Sequence, residues 1–298
     1  MRVTTATVAV ARPYRLDLTA TVLRRLSTNV VDVFDGTAYR RLLGDPDDPT
    51  LLTVTQPSRD ALEVRLEGPQ AGALDPHAVV ARALGTTVRL GAFERGARRL
   101  PWLGRIARAA RGVKPPRYPS LWETACNAIV YQQISIHAAG AILRRVIERY
   151  APPRTVAGVT LAPFPSYERV LAAPDDELRA VGLSANKARA LKAVAAAIAS
   201  GTLDEARLEP LPTADLLLEL TAQPGIGPWT AAVIALRGFA RLDVFPMKDS
   251  GATALLRTLS GDPNIAVEPV IEALAPQQGM LYYHLLLGRL ARTGEVEL

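Results

Sequence analysis

A chain of 298 residues that is 49% hydrophobic and 21% charged has enough apolar material to fold around a core of its own, which excludes disordered and fibrous classes and suits two domains or three. Its net charge of +6 at pH 7 points to a polyanionic partner without naming one. The single cysteine, Cys126, excludes a disulfide framework, a multi-cysteine zinc site and a four-cysteine iron–sulfur cluster, and it fits a reducing, cytoplasmic setting.

Residues 3–12 alternate and are rich in Val and Thr, and TLLTVTQ (50–56) and ALEVRLEG (61–68) share that strand composition. Between them, DLTATVLRRL reads as a helix capped by Asp17. NVVDVF is either its continuation or a strand, and DPHAVVARAL (75–84) is a helix opened by Asp75 and Pro76. Residues 1–87 are therefore expected to form an α+β domain. No cleavage pattern follows the short apolar run at the amino terminus, which is expected to be a mature first strand. Every long apolar stretch is broken before the roughly 18–20 residues that a bilayer span needs, so no membrane span is expected.

From Val88 to Ser120 nine basic residues, Arg105 and Arg108 among them, meet one acidic residue, Glu94. The rest of the chain is slightly acidic, so the basicity is local. This connecting segment reads either as a solvated linker followed by a KPPRYP loop or as a phosphate-facing surface. Beyond Leu121 the apolar spacing is helical almost to the end and strand signals are absent. Stops are expected at Gly182, Gly201, Gly238 and Pro276.

The segment LTAQPGIGPWTAAVIALRGFARLDVFPMKDSGATALL (220–256) carries the most chemistry. Pro224 ends one helix, Gly225 and Gly227 permit a tight turn without Cβ atoms, and Pro228 suits the first turn of the next helix. A phosphate of another chain can then reach bare amides at a helix start. Taken alone, PGIG is equally a plain helix–helix connection. Asp249 or Ser250 is a natural cap for the helix that follows, and a carboxylate there is favoured in its charged form. His77, His137 and His284 are scattered and read as structural, and no zinc, nucleophile-elbow, Walker or dinucleotide pattern occurs.

Together PGIGPWTA, ALRGFARLDVF and an aspartate about 20 residues beyond the hairpin resemble the helix-hairpin-helix (HhH-GPD) DNA glycosylase superfamily, and within it the 3-methyladenine DNA glycosylase II (AlkA) type. AIVYQQIS (128–135) is similar to that family's wedge segment, and FPSYERVLAAPDDELRAVGLSANKARALKAVAAAI and PYRLDLTATVLRRL extend the likeness over nearly the whole chain. The resemblance implies an α+β amino-terminal domain with a TATA-binding-protein-like sheet, followed by a mainly α, two-lobed helix-hairpin-helix domain. The implied layout is 1–87, a basic segment 88–120 packing on the carboxy-terminal lobe, a central lobe with the hairpin over 121–228, and a carboxy-terminal lobe with the catalytic aspartate over 229–298.

The activity implied is excision of alkylated purines, such as 3-methyladenine and 7-methylguanine, from duplex DNA by base flipping, in a monomeric, nucleoid-associated protein. Alkylation puts positive charge on the base and makes it a good leaving group, so one carboxylate and one water suffice, and no cofactor is required. Asp249 takes the catalytic position, while LDVF gives Asp243 a structural role. Gly225, Gly227 and Thr230 would hold the DNA backbone, with Arg105 and Arg108 on flanking phosphates and Gln133 in the apolar wedge's place. A K+ or Na+ ion at the hairpin would use the carbonyls of Thr221, Gln223 and Ile226. Base-pocket candidates are Trp229, Trp122, Tyr131, Tyr282 and Tyr283, because a cationic base stacks well on aromatic rings. Members that also cut the strand carry a lysine where this chain has Trp229, which cannot form a Schiff base. Lys248 does not match that position and reads as a solvent or phosphate contact. Val233 and Ser250 replace aromatic residues of the best-known pattern, so the pocket is expected to be remodelled. A non-catalytic DNA-binding module and a bifunctional glycosylase/lyase are the alternatives.

Overall fold

A computed structural model describes residues 2–298. The chain opens with strand β1 (Arg2–Ala9), helix α1 (Leu16–Arg24), strands β2 (Val33–Phe34), β3 (Ala38–Leu43), β4 (Thr50–Ser58) and β5 (Ala61–Gly68), and helix α2 (Pro76–Leu84). The strands form one antiparallel sheet in the order β1-β5-β4-β3-β2. Alternation decides its faces: Leu52, Val54, Leu62, Val64 and Leu66 point into a core shared with Leu16, Leu23, Val80 and Leu84 of the two helices. On the opposite face Thr5, Arg65, Thr53 and Arg40 lie side by side across four strands.

The cap of α1 is Arg15, and Asp17 sits inside the first turn, where it pairs with Arg15. NVVDVF supplies β2. Strand β3 was hidden because Arg40 and Arg41 interrupt its apolar run, yet Arg41 is buried. Asp75 does cap α2, accepting from the amides of His77 and Ala78.

Helices α3 (Gly91–Arg98) and α4 (Pro101–Ala109) follow, then α5 (Leu121–Val130), α6 (Ile136–Tyr150), strands β6 (Arg154–Val156) and β7 (Val159–Leu161), α7 (Tyr167–Ala172), α8 (Asp175–Ala180), α9 (Ala185–Ala199), α10 (Glu205–Leu208), α11 (Thr213–Thr221), α12 (Pro228–Phe239), α13 (Ser250–Ser260), α14 (Val267–Leu274) and α15 (Met280–Arg292). The helical expectation beyond Leu121 therefore misses a hairpin. Ala157 and Gly158, both at positive φ (51° and 79°), turn β6 into β7 in the way two-residue hairpins require. Gly238 is no stop either, since it lies within α12, where a Cβ would come within 3.0 Å of Thr124 on α5. Of the histidines only His284 is buried; His77 and His137 are exposed. Among the described residues no helix is long and apolar enough to cross a membrane.

Two apolar clusters organise the helices. One gathers α5, α6, α9, α11 and most of α12, and the other gathers α3, α4, α13, α14 and α15 with Leu18 and Val22 of α1. Helix α12 is buried from Thr230 to Phe239 and gives Leu236 to the second cluster while its other apolar side chains fill the first. Its Arg237 is fully buried, donates to the Val22 and Leu23 carbonyls (3.0 and 3.1 Å), and lies over the rings of Tyr118 and Tyr283.

A buried ionic group joins sheet to helices. Arg41 of β3 donates to Asp32 and to Glu123 of α5, each at 2.8 Å, and the Tyr39 hydroxyl donates to the same Asp32 oxygen at 2.6 Å. One guanidinium thus serves two carboxylates, and burial, with Asp32 nearby, pushes the Glu123 carboxyl up to about 7 against the pull of Arg41. Between about 4.5, the ordinary glutamate value, and about 7, the folded chain holds a proton that the unfolded chain has released. This group's contribution to stability is therefore fullest below that window and declines as pH rises through it. Buried His284, whose ring is pushed down to about 4 by burial, has the opposite slope, so the comparison must be a difference. Denaturant midpoints should fall relative to those of Glu123→Gln as pH rises from about 4.5 to 7. Parallel profiles for the two proteins would refute the assignment.

Candidate active site

The hairpin runs from the end of α11 to the start of α12. Its turn closes with the Ile226 amide donating to the Gln223 carbonyl at 3.1 Å. Gly225 is required twice over: its φ is +83°, and a Cβ there would lie 2.3 Å from the Ala190 Cβ. Gly227 differs, because a Cβ added there meets nothing of this chain within 4 Å. Pro228 opens α12, no side chain caps it, and the first helical bond of that turn runs from the Ala231 amide to the Gly227 carbonyl at 2.9 Å. The amides of Trp229 and Thr230 precede that bond, the usual orphan donors of a helix start.

Asp249 sits at the start of α13, and both of its oxygens are engaged. Oδ1 accepts from the Ala252 amide at 2.8 Å, a helix cap, and Oδ2 accepts from Trp229 Nε1 at 2.9 Å. Capping and orientation thus coexist in one half-buried carboxylate. The preceding residue, Lys248, holds φ at +61°, which for a residue with a Cβ costs roughly 1–2 kcal/mol. Both residues line a cavity of about 920 Å³ with Trp229, Tyr131, Gln133 and Tyr282. Burial pushes the Tyr131 and Tyr282 hydroxyls up, with Arg25 pulling the other way, so both rings are neutral phenols.

The structure separates the expected residues into those it brings together and those it does not. Trp229, Tyr131, Tyr282, Gln133, Gly227 and Thr230 line the cavity with Asp249. Tyr283 does not: it is fully buried, with its hydroxyl toward the Pro116 and Leu236 carbonyls. Neither does Trp122, whose indole donates to the Pro165 carbonyl at 2.8 Å and which borders a separate cavity of about 680 Å³. Both are packing residues and leave the base-pocket set. Gln133 is exposed with φ +56°, and Gly225 lies beside the cavity rather than in its wall. Thr230 is buried, its hydroxyl accepting from Gln132. Asp243 has an exposed side chain, and its carbonyl accepts from Gln278.

The basic stretch splits in two. Arg105 and Arg108 are exposed on α4, outside the cavity wall. Lys114 is buried with its Nζ on the Val88 carbonyl (2.7 Å), and burial lowers its ammonium to about 8. Arg117 grips both Glu209 oxygens and the Gly238 carbonyl. Those last two cations are fastenings of the fold. Among the described residues no cluster of His, Cys, Asp or Glu side chains is placed to hold a metal ion. Of the three carbonyls expected at a cation, that of Gln223 already accepts from the Ile226 amide.

Sequence reasoning missed Arg25 and Gln132. Arg25 ends α1, is only 4% exposed, lines the cavity, and holds its guanidinium carbon 4.2 Å from the Tyr131 ring centroid. In sequence it is one of two arginines in an ordinary amphipathic run, with no signal of its own. Gln132 stands beside the residue singled out as the wedge and ties its turn to the hairpin.

The chain is 34% identical over 149 residues to the DNA-3-methyladenine glycosylase 2 of Escherichia coli, a match covering 48% of this chain and 50% of that protein. The chain spans about half the length of the curated relatives it matches. A 3-methyladenine DNA-glycosylase from Archaeoglobus fulgidus superposes with a TM-score of 0.76 at 21% identity over 95% of this chain and 98% of that one, a likeness of fold. The Schizosaccharomyces pombe 3-methyladenine DNA glycosylase in complex with abasic DNA superposes with a TM-score of 0.54 at 26% identity, over 66% of this chain and 97% of the other. The profile of the HhH-GPD superfamily of base excision DNA repair proteins matches residues 126–275, half of the chain, from the end of α5 through the hairpin and Asp249 to α14, and the chain belongs to that superfamily.

Proposed function

We propose that this protein is a monofunctional DNA glycosylase that removes alkylated purines, 3-methyladenine and 7-methylguanine among them, from duplex DNA and leaves an abasic site. The observation that carries the reading is the Asp249 carboxylate, held in the cavity wall by Trp229 Nε1 at 2.9 Å beside an uncapped helix start. The names of the relatives support the substrate class. The two helical clusters are read as two lobes with the DNA between them, and the sheet domain as TATA-binding-protein-like.

The chemistry follows from the parts. Gly227 leaves open the approach to the first-turn amides of α12, so a backbone phosphate is received without sequence readout. A K+ or Na+ ion on the carbonyls of Thr221, Gln223 and Ile226 would add positive charge under that phosphate and nothing to the reaction at the sugar. Arg105 and Arg108 extend the contact to flanking phosphates. The flipped nucleotide enters the cavity, where Tyr282 and Trp229 offer ring surface and Tyr131 the surface that Arg25 leaves free. The C1′–N bond breaks with its electron pair on the departing base, and charge develops on the sugar ring within reach of Asp249. Water then adds to C1′ and passes a proton to the Asp249 carboxylate, which returns it to solvent, completing hydrolysis.

The alternatives lack a motive for this arrangement. A non-catalytic DNA-binding module needs the hairpin but no carboxylate oriented in a cavity. A glycosylase/lyase needs an amine where Trp229 donates its indole hydrogen.

Asp249→Asn retains a capping oxygen but replaces the charge and sets an amide NH2 against the Trp229 indole. Release of bases from methylated duplex should fall by about two to three orders of magnitude, while affinity for an abasic-analogue duplex stays. Wild-type turnover in this variant would remove Asp249 from the chemistry. Trp229→Phe keeps a ring and loses the donor; single-turnover excision should drop about tenfold with the melting temperature little changed. Borohydride added during the reaction should trap no covalent protein–DNA adduct, and an adduct abolished by Lys248→Ala would establish lyase chemistry instead.

A further inference from the structure

The turn between α5 and α6 and the hairpin before α12 come from distant segments, and one side chain joins them. Gln132 Nε2 donates to the Gly225 carbonyl at 3.0 Å, across 93 residues of sequence, and to the Thr230 hydroxyl at 2.8 Å. The two hydrogens of that amide thus have one acceptor each, the first on the left-handed glycine of the hairpin and the second on the third residue of α12. Thr230 is buried, which fixes the partner. Gln133 follows at once, exposed and in the left-handed region that disfavours a Cβ. The turn around it is pinned on both sides: the Val130 carbonyl accepts from Lys187 Nζ at 2.7 Å, and Ser135 Oγ caps α6 at the Ala138 amide.

We propose that Gln132 is a positioning residue that locks the duplex-entering Gln133 to the phosphate-gripping hairpin, so that seating the hairpin delivers Gln133 into the base stack at a fixed offset. This rests on the glycosylase reading above. A side chain that refills the gap left by an extruded nucleotide has to arrive in register with it. If turn and hairpin moved independently, each encounter with DNA would have to order Gln133 afresh, at an entropic cost. The double hydrogen bond sets that order before DNA arrives.

Gln132→Leu removes both bonds at similar volume. Single-turnover excision from lesion-bearing duplex should fall about tenfold, and the fluorescence of a 2-aminopurine beside the lesion, which reports extrusion, should fall with it. Thr230→Val removes one bond and should lie between. The decisive measurement is made in a Gln133→Ala background, where adding Gln132→Leu should alter the excision rate by less than about twofold, because the link has nothing left to present. Multiplicative losses in the double variant would overturn the proposal, as would wild-type extrusion by Gln132→Leu. Should Gln132→Leu fail to fold, Thr230→Val enters the same cycle and decides it. Failure of the glycosylase reading looks different: the wild type then releases no base, while the 2-aminopurine signal still reports whether extrusion depends on Gln132 through Gln133.

Discussion

Helix α12 is buried along nearly its whole length, and the placement of everything functional depends on that constraint. A helix closed in on all sides cannot slide or rotate without opening two apolar clusters at once. Its start carries the hairpin amides and Trp229, so the position of both is set by core packing rather than by loop preference. At its other end Arg237 reaches the last-turn carbonyls of α1, groups that would otherwise be buried without donors. The guanidinium also lies over two tyrosine rings, which makes its burial tolerable without a carboxylate partner.

From this fixed frame, one hydrogen bond bridges Trp229 and Asp249, 20 positions apart in sequence. Its effect is orientational. A carboxylate that capped α13 through one oxygen alone would be free to turn the other, whereas the indole holds the plane of the group toward the cavity. One indole N–H therefore sets the direction of the carboxylate.

Much of this was legible in the sequence, and the part that was not has physical reasons. PGIGPW, Asp75, Asp249 and the alternation of β4 and β5 could be read because turns, caps and strands are dictated by neighbours a few residues away. Tyr282 and Tyr283 could not be told apart: adjacent residues on a helix point about 100° apart, and periodicity does not say which direction faces the cavity. The structure sends Tyr282 there and buries Tyr283 against Arg237. Trp122 looked like a pocket residue by composition, but its indole hydrogen is spent on a carbonyl of the segment before α7. Lys114, Arg117 and Arg41 were indistinguishable from surface cations because their partners lie far away in sequence. Arg25 and Gln132 act only through contacts made after folding, and no local pattern announces them.

The sheet domain is thereby more than an appendage to the helices. Arg25 leaves the end of α1 at a positive φ to stand over Tyr131 inside the cavity, and residues with a Cβ hold that conformation only where surrounding structure enforces it. The enforcement comes from the same α1 whose carbonyls Arg237 occupies. The Arg41 group fastens β3 to the start of α5 with all its charges buried, an arrangement that is costly to break because removing one partner strands the others. Helix α5 in turn ends at the turn that bears Tyr131 and Gln133. A path of buried contacts thus runs from the amino-terminal sheet through α5 to the turn bearing Gln133, and through α1 to Arg25 in the cavity wall. Separating the amino-terminal domain from the helices would remove a wall of the site along with its support.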